Sequence, residues 1–269
     1  MKKILSIISL VLVLVLATAA FTACGNTTSD DKATDSNTAA NTADGDVAPK
    51  YTVLKMGTNA TFPPYEYKEG EKIVGIDADI AKAIADELGA ELEIVDMEFD
   101  SIITSVNQGE VDFGMAGMTI TPDRKEEVDF TDGYATGIQA VIVPVDSDIN
   151  EIEDLEGKKI GTQLGTTGAM YAADEFGEDN VITYSKGADA ILALGGDVDA
   201  VIIDNEPAKS FVAKNEGLRI LDAMFTVEDY AIAVKKGNTE LVDDINAALA
   251  KLSADGTIDE IIGRYIKAE

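Results

Sequence analysis

Short apolar runs alternate with stretches in which apolar residues recur every three or four positions, from near Tyr51 to the end of the chain. The runs predict buried β-strands, and the spaced stretches predict amphipathic helices. The predicted strands include 51–58, 92–95 and 181–184, and the predicted helices include 100–108, 188–194, 207–215, 243–252 and 258–267. Because the two patterns alternate, the chain is expected to be an α/β protein.

Two segments of the chain are similar to each other. Asn107 to Gly117 and Leu194 to Asp204 each contain a helix end, a glycine turn, a Val-Asp pair and a strand. Two similar α/β units that face each other would enclose a cleft. The extended apolar stretches Gly137 to Val145 and Tyr230 to Lys235 are suited to cross between the units. The predicted lobes are residues 51–140 with 232–269, and residues 141–231.

The N-terminus has the layout of an export signal. Two lysines precede an uncharged run from Ile4 to Ala20, and small residues follow directly. Residues 1–23 are therefore predicted to be a signal peptide. The alternative is an uncleaved anchor, because the apolar run is just long enough to span a membrane.

Cys24, the single cysteine of the chain, lies directly after this signal. Its position resembles the lipobox of bacterial lipoproteins, in which the cysteine becomes the lipidated first residue, although Phe21 stands where a leucine is usual. A free thiol after an ordinary signal cleavage is the alternative. Residues 24–50 contain Val47 as their only large aliphatic residue, so they are predicted to be a disordered tether.

The composition excludes several classes of function. The formal net charge is −29, so nucleic acid and anionic membrane surfaces are repelled. The chain has no histidine and one cysteine, which rules out Ser-His-Asp and Cys-His catalysis, histidine-ligated metals and thiolate zinc clusters. We expect no metal and no cofactor. Simple binding, and chemistry performed by a pair of carboxylates, stay compatible with this composition.

The stretch from Gly114 to Arg124, with the sequence GMAGMTITPDR, points most strongly to a ligand site. Thr121 followed by proline is a good helix start, which places Arg124 in the first helical turn. The helix dipole disfavours a cation there, so a functional reason is indicated. A planar guanidinium matches a carboxylate at two points, which predicts an anionic ligand group. The alternative is a surface ion pair with Glu127 or Asp129.

Two turns add candidate residues to this site. Phe62 and Tyr65 flank two prolines at the end of the first predicted strand, where ligands bind in open α/β sheets. One of these two aromatic residues is expected to pack only the turn. The turn from Gln163 to Ala169, rich in glycine and threonine, lies between a strand and a helix, so its N–H groups are suited to hold an anion. Ordinary helix capping by Thr166 or Thr167 is the alternative.

Asp204 follows a predicted strand, at the position that corresponds to Gly117 in the first of the two similar segments. A helix is expected to start at Pro207 with Glu206 as its cap, which would leave the Asp204 carboxylate free for a ligand. A solvated loop carboxylate is the alternative. Phe99 could belong to the core or to the cleft wall, and its pattern alone favours the core.

Together these residues carry a resemblance to a known family. From Tyr51 to the C-terminus the chain resembles the family 3 extracytoplasmic solute-binding proteins, the amino-acid receptors of ABC importers. The motifs that carry it are GTNATFPPY at 57–65, GIDADI at 75–80, AGMTITPDR at 116–124 and GTT at 165–167. The resemblance implies a type II periplasmic-binding-protein fold, with two mixed-sheet α/β lobes joined by two hinge crossovers.

The resemblance also implies a role for each matching position. The ligand carboxylate would be held by Arg124, by Thr119 and by the backbone at Gly117 and Thr167. The ligand ammonium would be held by Asp204 and the carbonyl of Ala116. Phe62 and Phe99 would cover the ligand side chain. No catalytic residue is implied.

Two positions of the implied side-chain pocket depart from the charged residues of the family. Asn59 stands where members that bind cationic amino acids or glutamine often have aspartate, and Gln163 stands where glutamine-binding members have lysine. An uncharged pocket would leave a charged ligand side chain without a partner. We therefore predict a neutral, polar amino acid, with glutamine as one candidate and lysine, arginine and glutamate disfavoured.

The resemblance further implies partners and a location. The lobes would close on the amino acid, the closed form would dock on the membrane subunits of an ABC importer, and Cys24 would anchor the protein to the outer face of the bacterial cell membrane. We expect a monomer that is not an enzyme. One alternative is an enzyme like the cyclohexadienyl dehydratases of this fold, which would need a general acid, for which Asp204 is the one candidate besides surface acids. The other is the ligand-binding subunit of a receptor.

Overall fold

A computed structural model describes residues 49–222 and 225–267 of the chain. The predicted signal peptide, Cys24 and the predicted tether up to residue 48 lie outside the described residues. None of the helices within the described ranges combines the length and apolar character that crossing a bilayer requires.

The described residues alternate between strands and helices, as expected for an α/β protein. The strands are β1 Val53–Thr58, β2 Thr61–Phe62, β3 Glu66–Glu69, β4 Lys72–Val74, β5 Glu91–Asp96, β6 Phe113–Gly114, β7 Val128–Phe130, β8 Ala135–Pro144, β9 Ile160–Gln163, β10 Val181–Tyr184, β11 Ala200–Asp204, β12 Leu218–Ile220, β13 Thr226–Tyr230 and β14 Ala233–Lys235. The α-helices are α1 Ile76–Glu87, α2 Ile102–Gln108, α3 Pro122–Glu127, α4 Thr167–Phe176, α5 Gly187–Leu192, α6 Asn205–Val212, α7 Thr239–Ala254 and α8 Thr257–Tyr265.

The strands form two large mixed sheets and one small sheet. The first large sheet has the order β5-β1-β6-β14-β7, and β14 runs antiparallel to its neighbours while β1 is parallel to β5 and β6. The second has the order β10-β9-β11-β8-β12, with β13 also pairing β8. Here β9 is parallel to β10 and β11, whereas β8 is antiparallel to β11. Two mixed-sheet lobes were predicted, and this prediction is confirmed.

The chain passes from the first large sheet to the second at residues 131–134 and returns at residues 231–232. The first passage comes earlier than the apolar run at 137–145 indicated, because most of that run lies in β8 and pairs with β11, β12 and β13. The limits of the lobes as moving bodies, 51–140 with 232–269 and 141–231, stay a prediction.

The sequence of β8 is apolar at nearly every position because both faces of the strand are buried. Val141 and Val143 pack into one hydrophobic cluster, and Ala140 and Ile142 pack into another. Successive side chains of a strand point to opposite faces, so this sheet is covered by apolar groups on both sides. The first large sheet is covered by a cluster that includes residues of α1, α7 and α8. Each lobe therefore has its own core.

The start of α6 differs from the prediction. The helix begins at Asn205, not at Pro207, and Asp204 is its N-cap, accepting a hydrogen bond from the Glu206 N–H at 3.2 Å. Proline fits anywhere in the first helical turn, because the N–H it lacks would have no partner there. The predicted helix start before Arg124 is confirmed, with Thr121 as the N-cap of α3.

Candidate ligand-binding site

Strand ends from both large sheets open into one cavity. Asn59 directly follows β1, Gln163 ends β9 and Asp204 ends β11. All ten residues predicted to contact a ligand line this cavity: Asn59, Phe62, Phe99, Ala116, Gly117, Thr119, Arg124, Gln163, Thr167 and Asp204. The space free of protein atoms is about 470 Å³, open solvent at its mouth included. Their contact with a ligand stays a prediction.

Arg124 is buried, with 7% of its surface exposed. Its Nη1 donates to the carbonyl oxygen of Thr119 at 2.7 Å, and its Nη2 donates to that of Gly165 at 2.9 Å. The surface ion pair with Glu127 or Asp129 is therefore wrong as an interpretation, and Lys236 pairs with Asp129 instead. Within the described part of the chain, Arg124 takes part in no ion pair. Burial lowers the pKa of Arg124 and the charge of Glu228 opposes this fall, as an anion in the cavity would also do.

Two threonines and a helix start lie close to the guanidinium. Arg124 lies on α3 beside the first sheet, and Gly165 lies in the turn after β9 of the second, so their hydrogen bond joins the two lobes. The hydroxyls of Thr119 and Thr167 are 3.4 Å apart across the same gap. Thr167 is the first residue of α4, where backbone N–H groups have no partner inside the helix. These donors are suited to hold a carboxylate.

Asp204 is also buried, and both of its oxygens are engaged. Oδ1 accepts from the Glu206 N–H, whereas Oδ2 accepts from the Ile138 N–H at 3.1 Å and from the Tyr230 hydroxyl. Burial raises the pKa of Asp204 to about 7, although the hydrogen bond from Tyr230 and the two backbone N–H groups oppose this rise. A cation in the cavity would favour the ionised carboxylate. Asp204 is thus suited to receive an ammonium group while it caps α6.

We expect affinity for an amino acid to rise with pH from about 5 to 7 and to level off above 7. The pKa of Asp204 lies near 7, so at lower pH the carboxyl must lose a proton before it pairs with an ammonium. This linkage weakens binding by up to about tenfold per pH unit. Titration calorimetry over the pH range measures it. The variant Asp204→Asn should bind more weakly at every pH and lose the slope, and an unchanged slope in that variant would assign the titration to another group.

The far wall of the cavity is polar but uncharged at two positions. Gln163 Nε2 donates to Asn59 Oδ1 at 3.0 Å, across the two lobes, and to the carbonyl oxygen of Ser185 at 3.1 Å. Asn59 Nδ2 donates to the carbonyl oxygen of Met97 at 2.7 Å. These hydrogen bonds hold both amides in place. The pair can offer hydrogen-bonding groups to a ligand side chain, but no charge.

Aromatic residues complete the lining. Phe62 lines the cavity and Tyr65 is buried behind it, with ring centroids 5.7 Å apart. The expectation that one of the two packs only the turn is wrong, because the Tyr65 ring also packs edge-on against Tyr230 in the core of the first lobe. The pattern favoured the core for Phe99, but its ring lines the cavity 5.4 Å from Cζ of Arg124, a cation–π distance. Gly117 has φ 54°, and a methyl group there would lie 3.0 Å from the Phe62 ring. Glycine therefore keeps this wall open.

Several residues of the lining were missed from the sequence: Glu66, Gln139, Thr166, Ile202, Ile203 and Tyr230. Capping by Thr166 or Thr167 is compatible with ligand contact, and Thr166 does cap α4 by accepting from the Ala169 N–H at 3.3 Å. Tyr230 was placed in a crossover, which gave no reason to assign it to a site. Across residues 49–222 and 225–267, no group of acidic, cysteine or histidine side chains is arranged to hold a metal ion.

Two α/β lobes that enclose such a cavity define the class of type II periplasmic binding proteins. The chain belongs to the bacterial extracellular solute-binding proteins, family 3, whose model matches residues 54–268.

Similar proteins cover nearly all of the chain. It is 34% identical over 266 residues to the arginine-binding extracellular protein ArtP of Bacillus subtilis, spanning 97% of this chain and 98% of that protein. It is 35% identical over 279 residues to the ABC transporter glutamine-binding protein GlnH of Bacillus subtilis, spanning 100% and 99%. Among solved structures, an ancestral arginine-binding protein bound to glutamine matches with a TM-score of 0.75 and 42% identity, over 80% of this chain and 98% of that one.

Proposed function

We propose that this protein binds a free α-amino acid with a neutral, polar side chain and delivers it to the membrane subunits of an ABC importer. The observation that carries the proposal is that buried Arg124, which forms no ion pair with the described residues, lines the same cavity as buried Asp204. A free amino acid presents a carboxylate and an ammonium on one carbon, so it can pair with both. Relatives named for arginine and glutamine binding support the amino-acid class.

The carboxylate is assigned to the Arg124 side of the cavity. A guanidinium has five N–H donors, and the hydrogen bonds to Thr119 and Gly165 leave others for a ligand. The Thr167 N–H and the two facing threonine hydroxyls would add donors to the same oxygens. The ammonium would then reach Asp204, with the Ala116 carbonyl beside it.

The neutral side chain is assigned from the amide pair. Asn59 and Gln163 hydrogen bond to each other and bring no charge to their part of the cavity. A cationic or anionic ligand side chain placed there would lose its water without gaining a countercharge. A ligand amide, by contrast, can both donate to and accept from amides. Glutamine fits this chemistry, and an acidic side chain fits it least.

Closure is proposed to follow from the same contacts. Arg124 belongs to the first lobe and Asp204 to the second, so an amino acid held by both would link the lobes. A ligand shifts a conformational balance only through its greater affinity for one form, and here the closed form supplies both charges. The closed surface would be what the importer subunits recognise.

We also propose that signal cleavage after residue 23 leaves Cys24 as a lipidated first residue. The lipid would anchor the protein, as a monomer, to the outer face of the cell membrane. A lone cysteine between an apolar signal and a polar stretch supports this assignment. Mass spectrometry of the mature N-terminal peptide should show acyl chains on Cys24. An unmodified thiol in that peptide would contradict the anchor and leave the binding function untouched.

The proposed function predicts that one or a few neutral amino acids raise the unfolding temperature of the mature protein. A ligand at a hundred times its dissociation constant adds about 2.7 kcal/mol, hence a shift of roughly 5 to 10 °C for a chain of this size. The measurement is thermal unfolding against the twenty amino acids and cystine, after partial unfolding and dialysis to remove carried-over ligand. The chain has no tryptophan, so calorimetric or dye detection is suitable.

The other outcomes separate the alternatives. If arginine, lysine or glutamate alone raises the unfolding temperature, the protein binds amino acids but the proposed preference for a neutral side chain is wrong. No shift from any amino acid would reject the proposal. Release of phenylpyruvate from prephenate by the purified protein would favour the dehydratase alternative, with Asp204 as its acid.

A further inference from the structure

Gln139 and Asp204 lie side by side on the cavity wall. β8 runs antiparallel to β11, and these two residues are directly opposite each other in that pairing. Opposite residues of an antiparallel pair project from the same face of the sheet, with Cα atoms about 4.5–5.5 Å apart. Both residues are buried, and both line the cavity. The carboxylate proposed to receive the ligand ammonium therefore has an amide beside it.

Glu228 holds this amide in one orientation. It lies on β13, which pairs with β8, and it is buried, with 4% of its surface exposed. Its Oε2 accepts a hydrogen bond from Gln139 Nε2 at 2.9 Å. An ionised carboxylate can only accept, so the amide has to turn its NH₂ group towards Glu228. The carbonyl oxygen of the amide, Gln139 Oε1, is then directed away from Glu228.

Gln139 Oε1 lies beside the start of α4 and has no donor of its own. A methyl group on Gly168, the second residue of α4, would be 2.8 Å from this oxygen, and the preceding Thr167 lines the cavity. Within residues 49–222 and 225–267, no N–H or O–H group donates a hydrogen bond to Gln139 Oε1. This oxygen is therefore available to a donor of the ligand.

The choice of an acid at position 228 indicates a function. Glu228 Oε1 is buried without a hydrogen-bond partner among the described residues, and burying a carboxylate in this way is costly. A glutamine would fill the same space at a lower cost, but it could both donate to and accept from Gln139 and would leave that amide free to turn round. A carboxylate fixes one orientation, and its hydrogen bond also polarises the amide, which makes Gln139 Oε1 a stronger acceptor.

A ligand ammonium needs one more acceptor than the contacts proposed above supply. An ammonium has three N–H donors, and a carboxylate has about four lone-pair sites. Three of the sites on Asp204 already accept from the Glu206 N–H, the Ile138 N–H and the Tyr230 hydroxyl. Asp204 therefore has room for about one donor of the ligand, and the Ala116 carbonyl would take a second. The third N–H would lose its water without a partner unless another acceptor lies within reach.

We propose that Gln139 Oε1 accepts the third hydrogen bond of the ligand ammonium, and that Glu228 is a positioning residue that fixes the Gln139 amide for this contact. The inference rests on the proposed amino-acid site and adds two residues to it. Strand β13 then supports both neighbouring acceptors, because Tyr230 donates to Asp204, and Glu228, two positions earlier on the strand, orients Gln139. The site selects a primary ammonium, since a group with fewer N–H donors leaves Gln139 Oε1 unpaired.

The test compares L-glutamine with its α-hydroxy analogue, in which a hydroxyl replaces the ammonium and the rest of the molecule is unchanged. The variant Gln139→Met keeps roughly the length of the side chain and removes the acceptor. It should lower the affinity for L-glutamine about ten- to hundredfold, because a hydrogen bond to a charged group is lost, and the affinity for the analogue less than about threefold. Titration calorimetry on the mature protein gives both affinities. A general change of fold or closure would lower both alike.

Glu228→Gln tests the positioning role. This variant keeps the shape of the side chain and lets the Gln139 amide turn round, so it should lower the affinity for L-glutamine about three- to tenfold. In the Gln139→Met background the same change should cost less than about twofold further, because no amide is left to orient. Asp229→Asn, which changes an exposed acid on the same strand, is the matched control and should keep the parent affinity.

Several results would overturn the inference. One is that Gln139→Met lowers the affinities for L-glutamine and its analogue by the same factor, or lowers neither. Another is that the losses from Gln139→Met and Glu228→Gln simply add. If thermal unfolding shows that Gln139→Met does not fold, Glu228→Gln decides with the same two ligands, and equal losses for both reject the inference. If another amino acid is found by thermal unfolding, it and its α-hydroxy analogue replace this pair. The absence of any amino-acid ligand for the parent protein would instead reject the proposed function itself.

Discussion

Replacing Arg124 by alanine is expected to weaken amino-acid binding by about a hundredfold to several thousandfold. The variant leaves the ligand carboxylate in a buried cavity without its cation, and removing one partner of a buried ion pair costs about 3–5 kcal/mol. The same change removes the hydrogen bond to Gly165, which joins the lobes. Titration calorimetry with the amino acid found by thermal unfolding measures the loss.

Arg264→Ala is the matched control for this variant. Arg264 lies on α8, is about half exposed, and pairs with Asp79 at 3.3 Å, so its loss should change affinity less than about twofold. Arg124→Lys separates charge from shape, since it keeps the cation and loses the planar fork, and it should fall between alanine and the parent. Unchanged affinity in Arg124→Ala would remove Arg124 from the site.

Gly137→Ala is expected to weaken binding at least about tenfold and to destabilise the fold by about 1–3 kcal/mol. The added methyl group would lie 2.7 Å from Asp204 Oδ2 and closer still to the ring and hydroxyl of Tyr230. Such contacts force side chains to move, as overpacking does. The Tyr230 hydroxyl would then lose its hydrogen bond to Asp204, and hydrogen bonds to charged groups contribute about 1.5–3 kcal/mol.

The control is a glycine with free space around it. Gly263 lies within α8, and a methyl group there would have nothing within 4 Å. Gly263→Ala should therefore keep the affinity and stabilise the helix by up to about 1 kcal/mol. Equal affinity of Gly137→Ala and the parent protein would show that the Tyr230 contact does not hold Asp204 in place. Thermal unfolding and calorimetry on both variants give the answer.

Elements with strong local signals could be predicted from the sequence. The strand at 181–184 matches β10, and Thr121 with the following proline marks the start of α3. These signals are local, because a hydrophobic period or a capping side chain acts within a few residues. The small sheet of β2, β3 and β4 was missed, since its strands are very short and mostly polar and their order is decided by tertiary contacts.

The site was predictable where chemistry and position agree. Arg124 stands out as a cation in the first turn of a helix, and Asp204 as a carboxylate at a strand end. Asp204 is also the N-cap of α6. The sequence predicts Glu206 as this cap, because proline is common as the first residue of a helix.

Glu66 and Gly137 show what local patterns cannot reveal. Glu66 lies between two tyrosines in a polar stretch and has the appearance of a surface acid, yet it is buried because Asp77 and the cavity wall surround it. Gly137 lies in an apolar run, and its importance arises from the ring of Tyr230, more than ninety residues away. Contacts at such sequence separation leave no periodic trace.

The carboxylate of Asp77 on α1 joins Gly117, which lines the cavity, to the first passage between the sheets. Because the Gly117 N–H donates to Asp77, it is engaged and not free to hold the ligand carboxylate as the resemblance implied. Asp77 also accepts from the hydroxyl of Tyr134, which lies in that passage at residues 131–134. These hydrogen bonds need no residue of the second lobe, so we expect this half of the site to be formed before closure. We expect the amino acid to bind to the first lobe before the second lobe closes over it. Substitutions at Asp204 should then raise the dissociation rate, and substitutions at Arg124 should both raise the dissociation rate and lower the association rate.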